Sequence, residues 1–235
     1  MFRFFENLVD PYQPYDENAP TPTQLGPFLR TMLRPFNRVA LLIIFFVGLG
    51  ALIDVWLIYY AGRVVNLLAE TSPGEVFRTH GWELAAIAAF VLFLRPIILL
   101  VDLSFVNQSL MPNIGTMVRW RSHRKVLRQS IGWFEEDFAG RIANRVMQTA
   151  PAVGEASFQV FDALIYASIY IFGAFFLLAE VDLLLMLPLA IWLVVYILMV
   201  RFFIPRIGKA SEAFSNARSQ ITGRIVDSYT NVQTV

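Results

Sequence analysis

Residues 158–204 read FQVFDALIYASIYIFGAFFLLAEVDLLLMLPLAIWLVVYILMVRFFI, and they decide the fold. Two apolar runs, 158–179 and 183–204, are parted only by Glu180, Val181 and Asp182, which predicts a tight turn. Each run reaches the roughly 20 residues a helix needs to cross the hydrocarbon of a bilayer. Working outward, 84–106 and 39–60 have the same character. Charged residues make up only 16% of the chain against 57% hydrophobic, with mean hydropathy +0.56, and the apolar residues fall in blocks instead of alternating. Backbone amides in lipid must be bonded within the segment, so the runs are helices. The predicted class is an all-α integral membrane protein of four transmembrane helices.

The charges between the runs set an orientation. Arg3, Arg30, Arg34 and Arg38 precede the first span. Arg119, Arg121, Arg124, Lys125, Arg128, Arg141 and Arg145 lie between the second and third, and Arg201, Arg206, Lys209, Arg218 and Arg224 close or follow the fourth. Only Arg63 and Arg78 fall in the first hairpin loop. The positive-inside bias therefore predicts residues 61–83 outside and the N-terminus and 107–157 in the cytoplasm. No secretory signal is read in the first 38 residues, and the absence of Cys excludes thiolate and disulfide chemistry.

Residues 1–23, with PYQPYDENAPTPT, predict an irregular cytoplasmic tail. In 24–38, QLGPFLRTMLRPFNR, Phe28, Met32 and Phe36 repeat every four residues opposite Arg30, Arg34 and Arg38. That pattern predicts an interfacial elbow with its apolar stripe at the acyl boundary; a merely basic approach to the first span is the alternative. Asn107 to Trp133 is long enough for a helix of roughly 40 Å, with Pro112 expected to kink it. The fourth span likewise runs on through Pro205 into a polar stretch carrying Ile221, Ile225 and Val232 near helical spacing. Long cytoplasmic extensions are expected on both.

Between them lies WFEEDFAGRIANRV, residues 133–146, a polar knot in an apolar chain. The chain is expected to change direction at Gly132, Trp133 and Phe134; Phe134 and Phe138 offer apolar contacts among Glu135, Glu136 and Asp137, and Gly140 allows a close approach. Two readings stand: an element that docks a partner domain, or a solvated helical tip whose aromatics pack on each other.

Phe134, Gly140, Arg141, Ile142, Asn144, Arg145 and Val146 resemble the first intracellular loop of ATP-binding-cassette (ABC) exporters of the six-helix fold. GRIVDSYTNVQTV, 223–235, resembles the second, with Asp227 where glutamate is usual, Asn231 where glycine is common, and Tyr229 between them. Thr149 stands where an acidic residue is frequent. The resemblance implies that residues 39–235 are part of an exporter transmembrane domain whose loop tips, near 133–146 and 223–235, seat on a cytosolic ATPase domain. It further implies ATP and Mg as cofactors of that domain, a second transporter half forming a homo- or heterodimer, a transported substrate, and residence in a bacterial inner (plasma) membrane. The chain itself has no G-x-x-x-x-G-K-[ST] phosphate loop, and Lys125 and Lys209 are its only lysines. It is therefore expected to be an N-terminal part of a longer polypeptide that carries the nucleotide-binding domain.

Ionisable groups inside spans are costly and usually face a cavity or a partner. Arg95, mid-span beside Pro96, is expected to face the interior, and Asp54 is its candidate partner in an intramembrane cavity. Asp102 and Asp162, near the cytoplasmic span ends, are expected to be solvated. His80 and His123 fall on opposite sides of the membrane, so no metal site is read. The Arg119–Arg128 cluster is taken as a topological signal, not a nucleic-acid surface. No catalytic constellation is present. A self-contained four-helix membrane scaffold that docks another cytosolic partner is the rival to the exporter reading.

Overall fold

The computed structural model describes residues 3–20, 22–70, 73–135, 139–230 and 232, and among them no strand occurs. A short helix, α1 (Arg3–Glu6), precedes an irregular stretch, followed by α2 (Leu25–Leu33), a 3-10 turn at Arg34–Phe36 and α3 (Asn37–Glu70). Next come α4 (Pro73–Ala89), α5 (Arg95–Ser104) and α6 (Met111–Leu127), linked by π-helical turns at Phe90–Leu94 and Phe105–Leu110. The chain continues through α7 (Ile131–Glu135), α8 (Ala139–Phe158), a π turn at Gln159–Ala163, α9 (Leu164–Val181), a 3-10 turn at Leu183–Leu185 and α10 (Met186–Thr230). Four helical runs, Leu25–Glu70, Gly74–Leu127, Ala139–Val181 and Leu183–Thr230, are long and apolar enough to cross a membrane, and each holds one predicted span. The protein is an all-α integral membrane protein.

Asp182 makes the tight turn. Its backbone is extended (φ −162°, ψ 132°), and its carboxylate accepts a hydrogen bond from the Leu184 amide at 2.9 Å, capping the turn that leads into α10. Prolines 96 and 112 do not break their helical run. Proline lacks an amide hydrogen and its ring crowds the carbonyl four residues back, here that of Leu92 or Gln108, and both lie within π turns. The wider turn is how the helix accommodates each ring; Arg95 and Met111 instead bond the carbonyls of Phe90 and Val106, five residues back.

Within the described residues the chain divides into two compact units. The first takes in the chain up to Val9, Leu33–Pro112 and Ala156–Met186. Here α3 packs against α9, α5 and the Phe105–Leu110 turn. Val39, Ile43, Val47 and Ala51 recur every four residues as one buried stripe of α3. Small residues let the helices close up: Gly48 approaches Ile169, and a Cβ on Gly173 would fall within 2.7 Å of Val55 Cγ1. Phe36 is fully buried. The tail is not wholly irregular as expected: α1 is helical, and Phe5 packs edge-on against Phe105 at 5.1 Å, which in turn stacks on Phe46 at 5.7 Å. Two aromatics in RFFE supply the burial that a polar tail would lack.

The second unit comprises Asp10–Met32, Asn113–Glu155 and the chain from Leu187. Its irregular stretch lies on the basic helix α6. Glu17 pairs with Arg124 at 2.7 Å and with Arg128, while Asn18 accepts from Arg128 at 3.1 Å and the Ala19 carbonyl from Lys125 at 3.4 Å. Arg121 lies over the Tyr15 ring at 4.6 Å, and Tyr12 meets Trp120 edge-on at 5.5 Å. Burial lowers the pKa of the Arg121 guanidinium from its ordinary value, and burial followed by the Glu17 charge raises that of the Tyr15 hydroxyl. Phe28 and Met32 of α2 line a cavity of ≈ 350 Å³ together with Tyr15, Arg121 and Trp133. Both Phe28 and Met32 are half-buried along that cavity.

Candidate functional site

Two constellations emerge, one in each unit. In the second unit, α8 runs antiparallel to α10. Gly140 faces Val226, where an added Cβ would lie 2.9 Å from the valine Cβ. Further along, Asn144 donates to the Ser219 hydroxyl at 3.3 Å and Arg145 to the Asn216 amide oxygen at 3.4 Å. The order 140, 144, 145 against 226, 219, 216 fixes the direction. Ser219 and Gly223 are the buried residues of α10. Both hydrogen bonds are long and each is worth only about 0.5–1.5 kcal/mol net. The steric closeness at Gly140 is therefore the stronger determinant of register. Arg141 follows Gly140 on α8, and Asp227 follows Val226 on α10.

Trp133 and Phe134 occupy α7 with their rings edge to face at 5.2 Å. Phe134 remains exposed, and Tyr229 near the end of α10 is 77% exposed. Glu135 is the last residue of α7. Glu136, Asp137 and Phe138 lie outside the described residues. Ile221 and Ile225, apolar positions at near-helical spacing on α10, are also exposed. The close approach is made by Gly140 on α8 against Val226, and the buried positions of α10 are the small Ser219 and Gly223.

In the first unit the candidate partners Arg95 and Asp54 are brought together, with the Arg95 side chain still 48% exposed where an interior facing was expected. Arg95, at the start of α5, donates from Nη2 to Asp54 Oδ1 of α3 at 2.7 Å, and the Tyr166 hydroxyl of α9 donates to Asp54 Oδ2 at 2.8 Å. Three helices thus meet on one carboxylate, both of whose oxygens accept a bond. Tyr166 was not singled out in the sequence; an aromatic with a polar tip inside a span carries no signal of which helix it will face. These residues line a cavity of ≈ 520 Å³ shared with Asp102 and Asp162. Asp102 is only 8% exposed, so the expectation that it is solvated is corrected. It lies on the face of α5 turned to its neighbours, and depth along the span did not reveal that facing.

The family description "ABC transporter transmembrane region" matches residues 40–235. The chain belongs to this ABC transporter transmembrane family. The ABC membrane region here is 31% identical, over 238 aligned residues, to a Haemophilus influenzae (strain ATCC 51907 / DSM 11121 / KW20 / Rd) protein named "Uncharacterized ABC transporter ATP-binding protein". That alignment covers all of this chain and 38% of the relative's length. No solved structure matches the chain. The family is the one its two loop motifs resemble, and four membrane-spanning helices within an ABC transmembrane region make this a transport-related membrane domain.

Proposed function

We propose that this ABC membrane region is the substrate-translocating part of an ATP-driven exporter. In this reading Trp133, Phe134, Glu135, Glu136, Asp137, Phe138, Gly140, Arg141 and Arg145, with Asp227 and Tyr229, couple it to a cytosolic ATPase domain of the same longer polypeptide. That domain binds ATP and Mg, and two halves, as a homo- or heterodimer, enclose the substrate path. The N-terminus is cytoplasmic and the membrane a bacterial inner one. The observation that supports coupling most is the antiparallel register of α8 on α10 at Gly140–Val226. It ties the two motif-bearing stretches to each other, so a displacement imposed on one would be delivered to the other. The exposed Phe134 and Tyr229 are available to a further domain.

The test is Phe134→Ser with Phe138→Ser in the full-length protein. Loss of buried aromatic anchors costs on the order of 2 kcal/mol or more at an interface. The expected result is retained thermal stability and ATP binding, with transport and substrate-stimulated hydrolysis lost together. Undiminished stimulation by substrate would refute the coupling role.

A further inference from the structure

The cavity of the first unit carries more charge than its ion pair uses. Arg95 is spent on Asp54, whose second oxygen takes the Tyr166 hydroxyl. Asp102 on α5 and Asp162 in the Gln159–Ala163 π turn line the same space. Asp102 Oδ1 is buried and has no hydrogen-bond partner among the described residues, and Asp162 shares the cavity with it. Much of the remaining wall is apolar, with Phe46, Val47, Ile98 and Leu99. Unpaired carboxylates in such surroundings are costly and call for a counter-charge.

We propose that this cavity binds an amphipathic organic cation, its charge facing Asp102 and Asp162 and its apolar body against the aliphatic and aromatic walls. The proposal rests on the transport reading above and adds the class of substrate. Among the described residues Arg95 is the one cation lining the space and is already engaged, so an anion finds no free partner among them. Among the described residues no set of three His, Cys, Asp or Glu is arranged to hold a metal, so a compact divalent ion fits poorly. The volume of ≈ 520 Å³ lies in the range of pockets for drug-sized ligands. Three π turns adjoin the site: Arg95 follows one, Asp102 precedes another, and Asp162 lies within the third. Such turns recur where a helix re-aims side chains for function.

The test uses the full-length protein in phosphatidylcholine nanodiscs, with tetraphenylphosphonium as the probe and tetraphenylborate, alike in shape and opposite in charge, as the control. Equilibrium binding should be saturable for the cation only. It should weaken on the order of tenfold or more in Asp102→Asn and in Asp162→Asn, and recover in part in Asp102→Glu. The unliganded thermal midpoint of Asp102→Asn should stay at or above wild type, since an uncompensated charge is removed, and the cation should raise the midpoint of wild type but not of Asp102→Asn. Cation binding that survives the double substitution overturns the proposal and points to a bound proton as the neutralising charge; equal binding of the borate overturns it as well. ATP-driven uptake of the cation into vesicles separates this claim from the transport reading: carboxylate-dependent binding without uptake leaves the site standing and removes the transport role, while uptake indifferent to both substitutions removes the site alone.

Discussion

At the residue scale, Asp54 is the node of the intramembrane cluster. Its two oxygens accept from different helices, so removing one donor leaves a carboxylate without its counter-charge, whereas removing both charges does not. Arg95→Leu is expected to lower stability by about 1–2 kcal/mol, the range for polar contacts between membrane helices. Asp54→Asn in the same chain should restore most of that loss. Thermal unfolding of the two single variants and the double variant in detergent checks this, and additive losses would mean that the 2.7 Å bond carries no coupling. Tyr166→Phe should cost less, because Asp54 keeps its guanidinium partner.

At the scale of elements, glycines decide where helices close up. On α9, Gly173 lies against Val55, a β-branched side chain with little freedom to move aside. Gly173→Ala should therefore destabilise by about 1–3 kcal/mol, and Val55→Ala should relieve it; a thermal midpoint unchanged by Gly173→Ala would count against the close approach. On α8, Gly140→Val should force the helix off Val226. In a cysteine-free background, the cross-link between Asn144→Cys and Ser219→Cys should form readily and be suppressed by Gly140→Val. Unimpeded cross-linking would show that the register has another cause. The tail behaves differently, since Glu17, itself 21% exposed, holds it on α6 by ion pairs to two partly exposed arginines. Glu17→Ala should raise the rate of proteolysis between Tyr12 and Ala19 with little change in the global midpoint, because such pairs are worth roughly 1 kcal/mol or less each.

For the molecule as a whole, the testable quantity is its orientation in the membrane. Arg63, one of two basic residues in the first hairpin, is paired with Glu83 at 3.3 Å, while the basic residues of α6 hold the N-terminal tail. The asymmetry of charge survives this pairing and predicts the topology. Cysteine at Thr79 should react with a membrane-impermeant maleimide in intact cells, and cysteine at Met147 only after permeabilisation. Labelling in the opposite order would invert the assignment. The first half of α10 makes the membrane itself hard to avoid: Ile191, Trp192, Val194, Tyr196 and Ile197, which point to every side of the helix, are all exposed, so this stretch is apolar all around.

Span number, helical class and the turn at Asp182 were legible in the sequence, because the length of an apolar run and the presence of a capping carboxylate are local properties. The two loop motifs were legible too, since a family pattern is carried by residues close together in the chain. Pairing was not. Asp54 meets Arg95 and Tyr166 from 41 and 112 residues away, and which face of each helix turns toward the others cannot be read from hydropathy. Asp102 looked solvated by depth and proved buried by facing, and the buried positions of α10 proved to be Ser219 and Gly223, not the apolar residues at helical spacing. The apolar runs by themselves determined that four helices enter the bilayer, where uniform apolarity is enough. Tertiary packing alone decided where their few polar groups converge, because in lipid hydrophobicity no longer distinguishes one helix face from another, and small residues and hydrogen bonds select the contacts.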